Sequence, residues 1–251
     1  GTFAPVIDEP GPIDADAYAL QQRFNVEKDE GFFGLGQQQD GLVNYAGHDV
    51  ELTTHNLEIA IPFVVSSKNY GVLWNNAAVT RFGDPRPAEP LAEGFILYDA
   101  DGNKGGLTVT YYDGETQLLS RTETDTNYQY LRSGNEREFP FPPEVASAKD
   151  LRLLIEGSLQ AKQSGVYTIK MYSSGYAKLT VDDELKLDRW RMNWNPWYHN
   201  VDLPFHNGEK KPISVSWIPN DGYLRLLQNS PQGEIAEGQM SLASDTGKAI
   251  D

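Results

Sequence analysis

SGVYTIKMYSSGYAKLTV, residues 164–181, opens on a Ser-Gly turn, alternates Tyr167, Ile169 and Met171 with other residues, turns again at Ser174-Gly175, and resumes with Ala177, Leu179 and Val181. A two-residue repeat puts one set of side chains on one face of a pleated strand, so the stretch reads as half-buried strands joined by a tight turn. The rhythm continues outward, through Leu151, Leu153 and Ile155 on one side and Ile213, Val215 and Trp217 on the other. Four inward-facing rows predict stacked sheets. Farther upstream, Tyr18, Leu20, Phe24 and Val26 share one parity, and Leu57, Ile59, Ile61, Phe63 and Val65 form the expected inner face of another run. Turn signals at Asp40-Gly41, Asp101-Gly102, Asp113-Gly114, Asn207-Gly208 and Asp221-Gly222 punctuate the runs. Helical periodicity is weak; its best instance is a short helix over Glu144–Lys149 after Pro142-Pro143, since proline suits a helix start. The fold class is all-β.

With 251 residues the chain has room for two domains. Its 39% hydrophobic and 11% aromatic content is enough to build cores and above the level of a disordered chain. A polar, glycine-rich seam at Asp99–Gly106 and a second at Asn229–Gly233 bracket a block of the size expected for an independent β-sandwich. The formal charge of −15, from 21 basic and 36 acidic residues, is spread along the chain. It argues against nucleic acid as a partner and favours neutral ligands. The longest uninterrupted apolar stretch, Ile59 to Val65, is far below the ~18 residues that suggest a membrane span. The absence of cysteine excludes disulfides, thiolate metal sites and a cysteine nucleophile, and leaves the compartment open. Gly1-Thr2-Phe3-Ala4-Pro5 has neither the charged start nor the apolar core of a signal peptide, so any targeting segment lies outside this chain.

The densest chemistry lies between Arg189 and His199, where Trp190, Trp194, Trp197 and Tyr198 are interleaved with Arg189, Arg191, Asn193 and Asn195. Flat rings suit the C–H faces of sugars, and Arg and Asn hydrogen-bond hydroxyls from the side. Trp190, Trp194, Trp197 and Tyr198 are the stacking candidates, with Arg189 and Arg191 as hydroxyl partners; the alternative is that these rings fill a sandwich core or cover one end of it. Arg81–Pro87, containing Asp84 and Arg86, is a stiff polar loop that can project toward a neighbouring site or serve as an ordinary turn. Asp182-Asp183-Glu184 and Glu27–Glu30 read first as solvated acidic runs, with acid/base chemistry or calcium binding as the minor readings. His48 and His55, like His199 and His206, are seven apart, which does not fit H-x₃₋₅-H zinc spacing, so they read as surface or turn residues. Gly34 and Gly36 do not make a dinucleotide loop, and neither a Gly-x-Ser-x-Gly elbow nor a P-loop occurs. No metal and no cofactor is implied.

Gly31–Gln37 followed by Ile61–Trp74 resembles the N-terminal β-sandwich, of galactose-mutarotase-like type, of glycoside hydrolase family 31, which contains α-glucosidases and α-xylosidases. The block with Leu107, Tyr111-Tyr112, Ile155-Glu156-Gly157, Ser164–Thr168, Ser174–Tyr176 and Leu179–Asp182 resembles a protective-antigen-type (PA-14) domain, and Gln239–Ser244 resembles the last strand of the family's first sandwich. The resemblance implies a first sandwich over 1–104 and 234–251, interrupted by an inserted domain over 105–233. It further implies that the insert extends a pocket for xyloglucan-type oligosaccharides. The catalytic carboxylates of the retaining scheme would lie in a (β/α)₈ barrel of the same parent chain. No catalytic residue is assigned here, because no tryptophan is followed two residues later by Asp as the family's nucleophile motif requires. The piece is expected to be inactive alone, and its parent to be a bacterial enzyme exported to the periplasm or cell surface. The rival expectations are a free-standing glycan-binding or adhesin module and a purely structural brace.

Overall fold

The computed structural model describes residues 6–7, 17–27, 29–38, 41–54, 58–76, 78–84, 86–128, 142–193, 196–220, 222–231 and 239–248. The chain folds as two compact units, Gly1–Arg86 with Glu234–Asp251, and Pro87–Gly233. The first unit contains β1 (Val6–Ile7), β2 (Ala17–Asn25), β3 (Phe32–Gln37), β4 (Val50–Leu52), β5 (Ile59–Ser66), β6 (Gly71–Leu73) and β7 (Thr80–Phe82). The second contains β8 (Glu89–Pro90), the one-turn helix α1 (Leu91–Gly94), β9 (Phe95–Tyr98), β10 (Leu107–Asp113), β11 (Thr116–Glu123), β12 (Asn127–Tyr128) and β13 (Leu151–Ala161). It continues through β14 (Gly165–Ser173), β15 (Gly175–Val181), β16 (Glu184–Arg191), β17 (Trp197–Phe205), β18 (Lys210–Ile218) and β19 (Leu224–Asn229), after which β20 (Gln239–Lys248) returns to the first unit. Among the described residues no helix is long and apolar enough to cross a membrane.

In the first unit β20 pairs with both β2 and β7, giving the order β1-β2-β20-β7-β4, and β3-β5-β6 form a separate sheet. Phe32, Leu35, Tyr45, Val50, Leu52, Val64 and Phe82 are its core, with Phe24 and Val26 packed against it. Gly34 and Gly36 flank the buried Leu35, which is left-handed at φ 62°, and the β3–β5 register slips between them. A Cβ on Gly36 would sit 1.9 Å from the Ile59 carbonyl oxygen, so the glycines of this motif serve a bulged strand rather than a phosphate.

The expected inner face of β5 is reversed. Ile59, Ile61, Phe63 and Val65 point outward and are exposed, while Val64 packs in the core and Ser66 turns inward to donate its hydroxyl to the buried Glu30 carboxylate. Apolar residues occupy both parities of this run, so alternation alone does not orient it. Leu57 lies outside the described residues.

In the second unit a sheet ordered β11-β10-β13-β18-β15-β16, with β9 beside β13, packs on one ordered β12-β19-β14-β17, with β8 beside β19. The four sequence rows, from Leu151 to Trp217, are all buried between these layers, because each keeps one strand parity continuously apolar while the other is mostly polar. The Trp217 indole donates to the Ser174 carbonyl at 2.7 Å, and Ser174 Oγ accepts from the Tyr223 backbone at 2.8 Å, tying the β14–β15 turn to the β18–β19 connection. Asp99–Gly106, expected as a joint between domains, is instead a reversal inside this unit. Asp99 Oδ1 accepts from the N–H groups of Asp101 and Asn103, and β9 pairs with β13. The units accordingly divide at Arg86/Pro87 rather than at 104. Of the helix expected over Glu144–Lys149, a 3₁₀ turn at Pro143–Val145 forms.

Candidate functional site

The Arg189–His199 segment spans the end of β16 and the start of β17, which are edge strands of opposite sheets. Residues directly opposite on antiparallel strands share a face. Arg189 stands opposite the buried Ala177 and Arg191 opposite Gly175, so both belong to the inner side of the sheet; Trp190 stands opposite Tyr176 and faces outward. On β17, Trp197 and His199 stand opposite the buried Ser173 and Met171, whereas Tyr198 stands opposite Tyr172 on the outer face. The segment that looked like one continuous aromatic strip is therefore parted by strand alternation onto two outer faces and the seam between them.

Trp190 is 61% exposed and Tyr198 42%, while Trp197 is only 9% exposed. Trp197 and Arg191 thus depart from the expectation of an open stacking ring and a free hydroxyl partner. Their inward parity buries them, with the Arg191 guanidinium 5.9 Å from the Trp197 ring. Arg189 is exposed and donates from Nη1 to the Asp188 carbonyl at 2.9 Å. Trp194 and Asn195 lie outside the described residues; Asn193 is half-buried.

Each exposed ring has company that the sequence did not single out. Trp190 neighbours Tyr176, whose hydroxyl hydrogen-bonds Asp188; this bond, with help from Lys178 at 3.4 Å, holds the Asp188 carboxyl below its usual range. On the other face Tyr198 lies 4.7 Å from Tyr172, which in turn lies 6.2 Å from Tyr223. Arg225 stands opposite Tyr172, and its buried Nε donates to nothing among the described residues. The signal that finds Tyr172 and Tyr176 is their polar-face parity beside buried rows.

His199 corrects the surface expectation for histidines. It is 7% exposed, and its Nε2 has no hydrogen-bond partner among the described residues. Burial, and then the positive charges of Arg189 and Arg191, lower its pKa to about 4, so the ring is neutral near pH 7. His48 is half-buried, His206 is exposed, and His55 lies outside the described residues.

The remaining candidates are occupied locally. Asp84 accepts from the Arg86 backbone at 3.0 Å and from Arg86 Nε at 2.8 Å, and its own N–H donates to Asp49, so the pair closes the loop on itself. Asp182 and Asp183, at φ 52° and 62°, form the β15–β16 hairpin turn, and Asp182 pairs with Lys211 at 3.2 Å. Glu27 and Asp29 pair with Lys68. Among the described residues no cluster of three or more His, Asp or Glu is placed to hold a metal. A groove of about 340 Å³ crosses the outer face of β13, β18 and β15, lined by Glu156, Ser158, Thr180, Asp183 and Ser214, but none of its lining residues is aromatic.

Residues 103–216 match the PA14 domain family, which defines the class: an all-β protein whose second unit carries a PA14 domain. Across both units, the chain resembles the N-terminal part of a glycoside hydrolase family 31 α-xylosidase. The crystal structure of the GH31 α-xylosidase from Xanthomonas citri superposes with a TM-score of 0.83 at 36% identity, over 98% of this chain and 26% of that one. A family 31 glucosidase of uncharacterised activity from Pseudescherichia vulneris is 38% identical over 68 residues, 27% of this chain and 13% of that protein. An α-xylosidase from Saccharolobus solfataricus is also 38% identical over 68 residues, 24% of this chain and 9% of that protein. The chain thus spans about a quarter of the solved relative's length, and its matches cover about a tenth of the curated ones.

Proposed function

We propose that this chain is a non-catalytic, saccharide-holding portion of a retaining α-xylosidase or α-glucosidase. The end of the second unit grips a xyloglucan-type oligosaccharide, and a (β/α)₈ barrel of the same parent chain cleaves it. Trp190 with Tyr176 on one outer face, and Tyr198 with Tyr172 and Tyr223 on the other, supply the stacking surfaces, and Arg189, exposed at the edge strand, hydrogen-bonds hydroxyls. Trp197 and Arg191 act from behind, packing the seam from which the exposed rings project. The observation that carries this reading is the exposure of Trp190 at 61% in a chain that resembles an α-xylosidase over 98% of its length. The same resemblance favours an exported parent, periplasmic or at the cell surface.

The test is Trp190→Ala in the parent enzyme. Losing one large aromatic contact should lower kcat/KM on long oligosaccharides by about 1–3 kcal/mol, with an aryl xyloside unaffected. Equal losses on both substrates contradict the pocket-extending role. The free-standing glycan-binding module remains the second reading, favoured by the tyrosine face because Tyr172, Tyr198 and Tyr223 all belong to the second unit. High-affinity binding by the isolated chain would support it.

A further inference from the structure

We propose that the tyrosine face of the second unit takes an acidic sugar, a uronic acid residue whose carboxylate is held by Arg225 while its ring lies over Tyr172 and Tyr198. The inference deepens the saccharide-holding reading of that face, and rests on it, by naming the class of sugar.

Strand register places the groups. Asn127 of β12 stands opposite Arg225 of β19, Arg225 opposite Tyr172 of β14, and Tyr172 opposite Tyr198 of β17, so these side chains form one row across the outer face of four adjacent strands. The next row along the strands carries Leu227, Lys170 and Asn200. Tyr223, 6.2 Å from Tyr172, extends the ring surface. With strands about 4.8 Å apart, Arg225 stands one interval from the tyrosine pair. A uronic acid joins the same two features, a flat C–H face and a carboxylate on the edge of its own ring, at a spacing that one interval and a long arginine side chain can bridge.

The sign of the ligand follows from charge. Arg225 has no hydrogen bond and no ion pair among the described residues, and its Nε is buried. In a chain with 36 acidic residues against 21 basic ones, an arginine without a carboxylate partner is an exception. Lys170, 6% exposed, adds a second cation in the neighbouring row, and neither row contains Asp or Glu among the described residues. Asp202 stands one row farther, opposite Thr168, and accepts from its hydroxyl at 2.7 Å. Partial burial leaves the guanidinium less hydrated, which strengthens a charge-assisted bond to a carboxylate. A neutral sugar uses the rings and leaves Arg225 unpaired, and a bare anion uses Arg225 and leaves the rings idle; an acidic sugar uses both. The overall charge of −15 opposes a polyanion but opposes a single carboxylate little, since exposed charges beyond about 8 Å are screened at physiological salt.

Calorimetric titration of the 251-residue chain tests the proposal with a xylo-oligosaccharide carrying one glucuronic acid branch, with its methyl ester, and with the same oligosaccharide unbranched. The acid should bind about tenfold tighter than either neutral ligand, the gain from one charge-assisted pair, and the preference should shrink as salt is raised. In Arg225→Gln the three ligands should bind alike, with the unfolding midpoint kept, and Arg225→Lys should restore part of the preference. Equal binding of the acid and its methyl ester by the unaltered chain overturns the proposal without recourse to any variant. A preference that survives in Arg225→Gln also overturns it. Acetate that displaces the acid at equal concentration overturns it in favour of a bare anion site. Neutral ligands binding as tightly as the acid would sink this inference alone, whereas no binding of any of the three would sink the saccharide-holding reading itself.

Discussion

Tyr172 and Tyr198 stand directly opposite each other on β14 and β17, their ring centroids 4.7 Å apart and their planes inclined by 43°. The pair lies on the outer face of a sheet whose inner face, at Met171 and Ile169, is fully buried. A cross-strand aromatic pair of this kind stiffens the edge strand β17 and presents a ring surface without drawing on the core. It also fixes where Trp197 and His199 must point, since the neighbours of an outward residue turn inward.

Trp197 is accordingly predicted to behave as a packing residue. Trp197→Ala should destabilise the protein by about 3–5 kcal/mol, as for other large-to-small changes in a core, whereas Trp190→Ala should stay within about 0.5 kcal/mol of the parent stability. Denaturant unfolding of the two variants makes the comparison. The reverse order would place the stacking ring at Trp197.

His199 makes stability depend on pH with a defined sign. Its folded pKa of about 4 lies below the ordinary value of 6.5, so between these limits the unfolded chain binds more protons and folding weakens as pH falls. The contribution is constant above pH 6.5, is lost progressively toward pH 4, and levels off below, with a total of about 3 kcal/mol. In His199→Gln this component should vanish. Chemical denaturation from pH 8 to 4 measures it as the difference between the two proteins, and parallel curves would refute it.

The Glu123 carboxylate accepts from both the Tyr111 and Tyr128 hydroxyls and from Arg121 Nε at 2.8 Å. Burial, followed by interactions within this group, raises the pKa of both phenols, so they remain protonated donors. Glu123→Ala should cost about 2–4 kcal/mol because it removes the charged acceptor that both buried hydroxyls share, and Tyr128→Phe about 1 kcal/mol because it removes a donor together with its bonds. Equal effects of the two substitutions on the unfolding midpoint would contradict this account.

Much of the second unit was legible because four of its strands, β13, β14, β15 and β18, keep one parity continuously apolar while the other is mostly polar. Tyr167, Ile169 and Met171 admit one orientation only, and they took it. Ile59–Val65 is apolar on both parities, so its pattern named a strand without naming its inner face. Asp99–Gly106 has a linker's composition, yet Asp99 caps it as a turn through backbone N–H groups, a role that composition does not encode. The aromatic density near Trp190 includes one exposed indole, which stands opposite Tyr176. Counting rings along the chain, however, ignored the alternation that buries Trp197 while exposing Tyr198, and it passed over Tyr172 and Tyr223, which reach Tyr198 only through β14 and β19.

The central claim is that Trp190 and Tyr198 hold saccharide. Calorimetric titration of the 251-residue chain with xyloglucan-derived oligosaccharides tests it most directly, alongside the double variant Trp190→Ala/Tyr198→Ala. The account predicts weak but saturable binding by the chain, and at least a tenfold loss in the variant with its unfolding midpoint unchanged. No binding by the chain, or equal binding by the two proteins, would contradict it.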